Sequence, residues 1–221
     1  MKHFYKLGIF LFFIPFFTSG QTNTDYDKHN FYLGAALNAT TTSSSSASPF
    51  YGSGGRPYTS YLPALSFGIS VPADPNTGKL VFRGELLVSL AKYSSLYQNK
   101  VYPYIGVRAS YNELGISFTP QVIYNFYNAD NFKFYGGIGI ALANSFYSNV
   151  NYGSQDPNTP FLGDNNYDFV QFDTRGLLKA GIQLHKKWEV YFNYLTSGGT
   201  TNRGYFQLNK TNKQVGINYI F

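Results

Sequence analysis

The chain contains no cysteine, and this absence excludes several classes of protein at once. Without thiols there is no disulfide scaffold, no thiolate metal site and no cysteine nucleophile. Charged residues are also sparse, at 13% of 221 residues, and the 17 basic ones are scattered along the chain. Because a net charge of +6 spread in this way does not form a basic stripe, we expect no nucleic-acid partner.

Long hydrophobic runs are absent except at the amino terminus. Residues 7–17 are almost all apolar, Lys2 and Lys6 precede them, and the small residues 18–20 follow. This is the layout of a secretory signal peptide, and the run is too short for a spanning helix, which needs about 20 apolar residues. We predict cleavage after Gly20, with residues 1–20 as the signal and 21–221 as one exported domain. The alternative is an uncleaved membrane anchor.

The predicted mature domain can enter a membrane only as a closed β-barrel, because no second apolar run could span it as a helix. The residues that are abundant fit this interpretation. The chain has 21 Tyr, 21 Phe and 22 Gly, and its mean hydropathy is only −0.22. Strands that alternate apolar and polar side chains give such an average.

The last eight residues alternate strictly. Val215, Ile217, Tyr219 and Phe221 fall on one face of an extended chain, while small or polar residues separate them. An apolar face that ends in aromatic residues suits lipid, and a small polar face suits the interior of a barrel. The segment therefore predicts the closing strand of a transmembrane barrel.

Seven upstream segments show the same alternation, which predicts an all-β, eight-stranded, antiparallel up-and-down barrel. The predicted strands are 31–39, 61–71, 80–90, 114–126, 134–142, 172–184, 188–194 and a last one from about 205. Residues 101–109 alternate in the opposite parity to the strand that follows them. We interpret 101–126 as one long strand with a register break near Asn112. A separate strand there would raise the count to nine or ten.

Two prolines lie inside predicted strands. Proline lacks the N–H that a sheet ladder needs, and a closed barrel has no free edge to tolerate it. We therefore expect β-bulges at Pro63 and Pro120.

Short and long connections alternate along the chain. The predicted short turns are 72–78, 128–131 and 185–187, and the predicted long polar loops are 40–60, 93–112, 147–168 and 196–204. This asymmetry is typical of outer-membrane barrels, which have tight periplasmic turns and longer extracellular loops. The alternative is a soluble lipocalin-like ligand-binding barrel, which would carry its apolar side chains inside. The face with small and polar residues contains many glycines, which are poorly suited to line an apolar ligand pocket.

The chain resembles the small outer-membrane β-barrel proteins grouped with OmpX, OmpA-type barrels and PorT. The stretches that carry the resemblance are 80–86, 116–126, 132–139 and 216–221. The resemblance implies an outer-membrane location in a Gram-negative bacterium and contact with outer-membrane lipids. It also implies insertion by the barrel-assembly machinery, with Val215, Ile217, Tyr219 and Phe221 as the assembly signal.

Five charged residues fall on the predicted interior face of the strands: Arg83, Glu85, Arg175, Lys179 and Glu189. One interpretation is a network of ion pairs that fills a narrow lumen, since unpaired charge in a low-dielectric interior is costly. The other is a selectivity constriction in a small pore. Side chains nearly fill an eight-stranded barrel, which favours the network.

Catalysis is not expected. Enzymatic outer-membrane barrels use a histidine base near the extracellular rim, whereas His3 leaves with the signal, His29 precedes the first strand and His185 lies in a predicted periplasmic turn. We therefore predict no catalytic residue, no metal site and no cofactor.

The predicted role is structural or interactive, with extracellular loops that contact an envelope protein partner or the surroundings. A narrow pore, or a PorT-like accessory of an envelope secretion system, remains the alternative.

Overall fold

The computed structural model describes residues 29–46, 51–54, 58–73, 77–99, 106–129, 131–154, 167–196, 200–203 and 206–221. The predicted signal peptide lies outside the described residues. Within them, no helix is long and apolar enough to cross a membrane. The strands are β1 (Asn30–Ser46), β2 (Tyr51–Gly54), β3 (Tyr58–Pro72), β4 (Leu80–Asn99), β5 (Gly106–Asn128), β6 (Phe132–Ser154), β7 (Tyr167–Leu184), β8 (Trp188–Leu195), β9 (Thr200–Arg203) and β10 (Phe206–Ile220).

Eight of these strands close into a barrel. Their order is β1-β3-β4-β5-β6-β7-β8-β10, β10 pairs back to β1, and every pairing is antiparallel. The four-residue strands β2 and β9 pair with the last residues of β4 and the first residues of β10, and they add no new position to the wall. The predicted eight-stranded up-and-down barrel is confirmed.

The register fixes how steeply the strands tilt. A path through paired residues starts at Asn30 and crosses each strand in turn. It returns to β1 at Thr40, which is a shear of ten residues. With eight strands, this shear corresponds to a tilt of roughly 40° and an interior just wide enough for side chains.

Apolar side chains face outward and polar ones inward. On β8, Trp188, Val190 and Phe192 are exposed, while Glu189, Tyr191 and Asn193 between them are buried. The other strands repeat this pattern with exposed Leu, Ile, Val and Phe side chains. The arrangement is the reverse of a lipocalin, so the soluble-barrel alternative is wrong.

The two ends of the barrel differ. Both described chain ends lie at the end with the short connections, where the Phe221 N–H donates to the Phe31 carbonyl at 2.9 Å. We call this the turn end, and the opposite end the loop end. Much of the predicted loop sequence at the loop end is strand, since β4 continues to Asn99 and β6 to Ser154. The predicted loops were too long, because polar segments at this end continue the backbone pairing of the sheet although they lack an apolar face.

The predicted long strand with a register break is largely confirmed. β5 runs from Gly106 to Asn128, and its pairing with β6 shifts between Ser110 and Asn112. Two residue steps on β5 match three on β6, so the extra residue lies on β6, and the β4–β5 register runs unbroken past residue 112. The shift therefore does not account for the change of parity in the sequence of β5.

The bulges predicted at the two prolines are wrong. Pro63 pairs with Leu37 in an unbroken register, and the β3–β4 ladder ends at the next residue, Ala64. Pro120 pairs with Gly84, and the β5–β6 ladder skips Pro120 without a change of register. Each ladder therefore loses pairing on the side where the proline lacks its N–H, and no extra residue is inserted.

Three interior tyrosines lie over glycines of the neighbouring strand. Tyr32 is paired with Gly68, Tyr135 with Gly181 and Tyr191 with Gly216. A Cβ built on any of these glycines would collide with the tyrosine ring. The glycines thus make room for large rings in a narrow barrel, and the rings cover the bare backbone.

We predict that Gly181→Ala destabilises the barrel, because its Cβ would lie 2.6 Å from Cζ of Tyr135. Such crowding costs about 1–3 kcal/mol of unfolding free energy. Urea unfolding in detergent micelles measures it. Gly84→Ala is the matched control, since its Cβ would meet its nearest atom, on Phe118, at 3.5 Å. Equal stability of the two variants would contradict the packing argument.

Candidate functional site: a charge-balanced lumen

The interior carries two clusters of charged side chains at different heights. The lower cluster, toward the turn end, consists of Arg83, Glu85, Lys179 and Glu189. The upper cluster, toward the loop end, consists of Glu113, Asp173, Arg175 and Lys210. All eight side chains are buried.

Two ion pairs cross the lumen in the lower cluster. Nη1 of Arg83 donates to Oε1 of Glu189 at 2.7 Å, and Nζ of Lys179 donates to Oε2 of Glu85 at 2.9 Å. The partners come from β4, β7 and β8, so each pair joins strands that are distant in the wall. The pairs therefore tie opposite sides of the barrel together.

Hydrogen bonds complete the lower cluster. The Tyr32 hydroxyl donates to Glu85 at 2.8 Å, the Tyr135 hydroxyl donates to Glu189, and the Asn218 amide donates to Glu189 at 2.7 Å. The Arg83 guanidinium also lies over the rings of Tyr32 and Tyr135, 4.9 and 5.6 Å from their centroids. Such contacts replace the water that these charges lose on burial.

Lys210 is the centre of the upper cluster. Its ammonium donates to Glu113 at 2.9 Å, to Ser145 at 3.0 Å and to Tyr147 at 2.9 Å. It also lies 3.4 Å from Oδ2 of Asp173. Three donors of one ammonium are thus satisfied inside the protein.

Arg175, on β7, completes the upper cluster. It donates to Asp173 at 2.6 Å and to Asn212 at 3.0 Å. The Tyr93 hydroxyl donates to Glu113, so that carboxylate has neutral as well as cationic partners. The upper cluster is therefore also a connected network.

An apolar layer separates the two clusters. Ala141, Leu177 and Leu195 form a buried group in the middle of the barrel. A cavity of about 20 Å³ adjoins this layer and is lined by Leu87, Arg175 and Gln214 among others. That volume suits about one water molecule, so within the described residues the lumen is filled by side chains.

The buried charges balance. Four cations (Arg83, Arg175, Lys179 and Lys210) and four carboxylates (Glu85, Glu113, Asp173 and Glu189) form the two clusters, and each cation is within ion-pair distance of a carboxylate. Equal numbers leave no formal net charge inside the described barrel. This pairing is what makes burial of so many charges tolerable.

The five residues singled out from the sequence divide between the clusters. Arg83, Glu85, Lys179 and Glu189 lie together in the lower one, whereas Arg175 lies in the upper one. Sequence reasoning missed Glu113, Asp173 and Lys210. Asp173 has the same parity as Arg175 two residues later, and Lys210 the same parity as Gln214, so extending the alternation would have placed both inside.

The predicted carboxy-terminal signal residues line the outside of β10. Val215 and Ile217 are exposed, and the Tyr219 ring packs edge-on against Trp188 and Phe221, with centroids 5.0 and 5.2 Å apart. Both described histidines, His29 and His185, are exposed at the turn end. Neither lies within the two charged clusters.

Small outer-membrane barrels are among the solved structures that are similar to this chain. Neisserial surface protein A is 16% identical over 86% of this chain and 97% of its own, with a TM-score of 0.45. Ail, the attachment invasion locus protein of Yersinia pestis, solved in complex with the heparin analogue sucrose octasulfate, is 9% identical over 88% and 99%, with a TM-score of 0.42.

The N-terminal β-barrel domain of Pseudomonas aeruginosa OprF is 11% identical over 85% of this chain and 97% of its own, with a TM-score of 0.33. No protein-family model and no curated protein matches the chain. At these TM-scores the fold assignment rests on the strand pairing of the chain itself. That pairing defines a closed, eight-stranded β-barrel of the transmembrane type.

We predict that Arg83→Met lowers the unfolding free energy by about 3–5 kcal/mol, because it leaves Glu189 buried without its cation. The double variant Arg83→Met, Glu189→Gln should lose less, since it removes both charges. Urea unfolding followed by the fluorescence of Trp188, the one tryptophan of the chain, measures both. Lys187→Ala, in the exposed turn, is the control. A double variant that is less stable than the single one would contradict the pairing argument.

Proposed function

We propose that this chain is an integral outer-membrane β-barrel protein with a structural or interaction role and no catalysis. A closed barrel whose exposed side chains are leucine, isoleucine, valine and aromatic residues supports insertion in lipid. The amino-terminal signal pattern supports export. Together they favour the outer membrane of a Gram-negative bacterium.

The observation that carries the proposal is the balance of charge in the lumen. A pore that selects ions needs charges of one sign, or polar groups, that face a water-filled path. Here four cations and four carboxylates pair with one another inside the lumen, and apolar side chains separate the two clusters. Such an interior supports a closed lumen, in which the paired side chains link the strands of the wall and leave no path for ions.

The proposed orientation follows from the ends of the barrel. The turn end would face the periplasm, because outer-membrane barrels have their short turns and both termini there. The loop end would face the outside. The strands β4, β5 and β6, which are 20, 23 and 23 residues long, extend furthest toward this end. We place contact with an envelope protein partner or with the surroundings at this end.

The channel alternative is tested by electrical recording. The full mature chain in a planar bilayer should give no reproducible conductance steps, because paired side chains fill its lumen. Arg83→Ala is the matched variant, since it removes the largest side chain of the lower cluster. Steps in the wild-type protein that change in size with Arg83→Ala would show a selective pore and overturn the proposal.

The assembly signal is tested in cells. We predict that Phe221→Ala reduces insertion by the barrel-assembly machinery, because it removes the terminal exposed aromatic ring and keeps the Phe221 backbone bond to Phe31. Surface protease accessibility and heat-modifiable migration on gels measure insertion. Phe126→Ala, another exposed ring at the turn end, is the control and should insert normally. Normal insertion of Phe221→Ala would refute this role.

A further inference from the structure

The exposed charged side chains of the described residues have one sign. Within the part of the chain whose side chains are described, all four carboxylate side chains are buried in the lumen clusters. The exposed charged side chains there are all lysines: Lys79, Lys92, Lys186, Lys187 and Lys213. The described exterior therefore offers cations and no side-chain anion.

Two of these lysines face outward from the wall. Lys79, Lys186 and Lys187 belong to the connections at the turn end, whereas Lys92 lies on β4 and Lys213 on β10. Along β10 the outward side chains are apolar from Phe221 to Val215, and the next one is Lys213. Lys213 therefore ends the apolar outer series of β10.

The apolar band ends lower on this side of the barrel. On β1 the outward apolar series stops at Leu37 and is followed by Ala39 and Thr41. On β6 it continues up to Phe146. With the observed shear, Lys213 lies roughly 20 Å and Phe146 roughly 30 Å above the first residue of β1. Because an apolar band is about 25 Å tall, Lys213 sits within the depth of the outer leaflet.

The two lysines lie in one row across the wall. Lys213 is paired with Ala39, and Ala39 with Tyr61, along one row across β10, β1 and β3. The β3–β4 register, continued past its last pair, places Lys92 next to Tyr61, and the Lys92 N–H lies 3.5 Å from Oγ of Ser60. Three strand spacings, roughly 14 Å, thus separate the lysines, with Ala39 and Tyr61 between them.

Polar groups surround this row. Tyr61 is 66% exposed, and above it the hydroxyls of Thr41 and Thr59 lie 3.0 Å apart. Tyr194 is paired with Lys213 on the other side. Lysines, hydroxyls and interfacial tyrosines together suit a phosphorylated headgroup at the level where lipid tails end.

No anion of the described chain faces the two lysines. A lysine that faces lipid costs about 0–1 kcal/mol near the interface and more with increasing depth, and within the described residues no carboxylate is paired with Lys92 or Lys213. A second copy packed on this face would bring lysines against lysines. An outer-leaflet lipid with phosphate groups would supply the missing anions.

We propose that Lys213 and Lys92, with Ala39 and Tyr61 between them, form a binding site for the phosphate groups of an outer-leaflet glycolipid. The site rests on the proposed outer-membrane location. It would hold one headgroup against the side of the barrel where the apolar band is lowest, and so fix how the protein sits in the membrane.

Native mass spectrometry of the full mature chain from nanodiscs tests the site. The discs contain phosphatidylcholine with either diphosphorylated lipid A or its dephosphorylated form. We expect the wild-type protein to retain the phosphorylated lipid preferentially. Lys213→Ala and Lys92→Ala should each lower its retention about fivefold, and the double variant more. Lys187→Ala removes the same charge at the turn end and should retain the lipid like the wild type.

Three results would overturn the site: equal retention of both lipids by the wild type, equal retention by the double variant and the wild type, or a dimer of the chain that the double variant abolishes. Inorganic phosphate added in excess identifies the source of the anion. If it displaces the lipid as well as lipid A does, the site recognises free phosphate and the proposal of a lipid fails.

Failure of the site is distinguishable from failure of the proposed function. Flotation with phosphatidylcholine vesicles, followed by heat-modifiable migration, reports insertion independently of the glycolipid. A barrel that inserts but shows no preference for the phosphorylated lipid refutes only the proposed binding site. A chain that does not insert refutes both the proposed membrane location and the binding site.

Discussion

The pairing of β1 with β10 is the constraint on which the rest of the structure depends. It closes the sheet with a shear of ten residues, so no strand edge of the wall is left along the membrane-spanning part. Closure also makes every strand present one face to a narrow interior and the other to the surroundings. The strict alternation of apolar and polar side chains is the sequence counterpart of that geometry.

A narrow interior then dictates how its polar residues behave. Rings as large as Tyr135 fit only where the neighbouring strand has a glycine such as Gly181. Charges enter only in pairs, as Arg83 does with Glu189. All of the described acidic side chains are used for this purpose, which leaves the outside of the described barrel basic. The filled lumen and the lysine-bearing exterior are thus two consequences of one distribution of charge.

Alternation in the sequence was enough to predict the strand number and the direction of each face. A register break was also predicted near Asn112, but the extra residue there lies on β6 rather than on β5. Alternation could not predict which charges meet, because the partner of Arg83 is set by the shear of the whole barrel rather than by local pattern. Lys210 was missed because the alternation of its strand was followed only over the last eight residues. Pro63 was misjudged because a ladder can end beside a proline without inserting a residue.

The orientation of the wall is tested most directly by spin labels, since the chain has no native cysteine to interfere. Single cysteines placed at each position from 177 to 184 on β7 would be labelled in lipid vesicles, and their collisions with oxygen and with a polar nickel complex compared. If the apolar face points to lipid, the accessibility of the spin label to oxygen peaks at positions 178, 180 and 182. Peaks at 177, 179 and 181, or no alternation, would contradict this orientation.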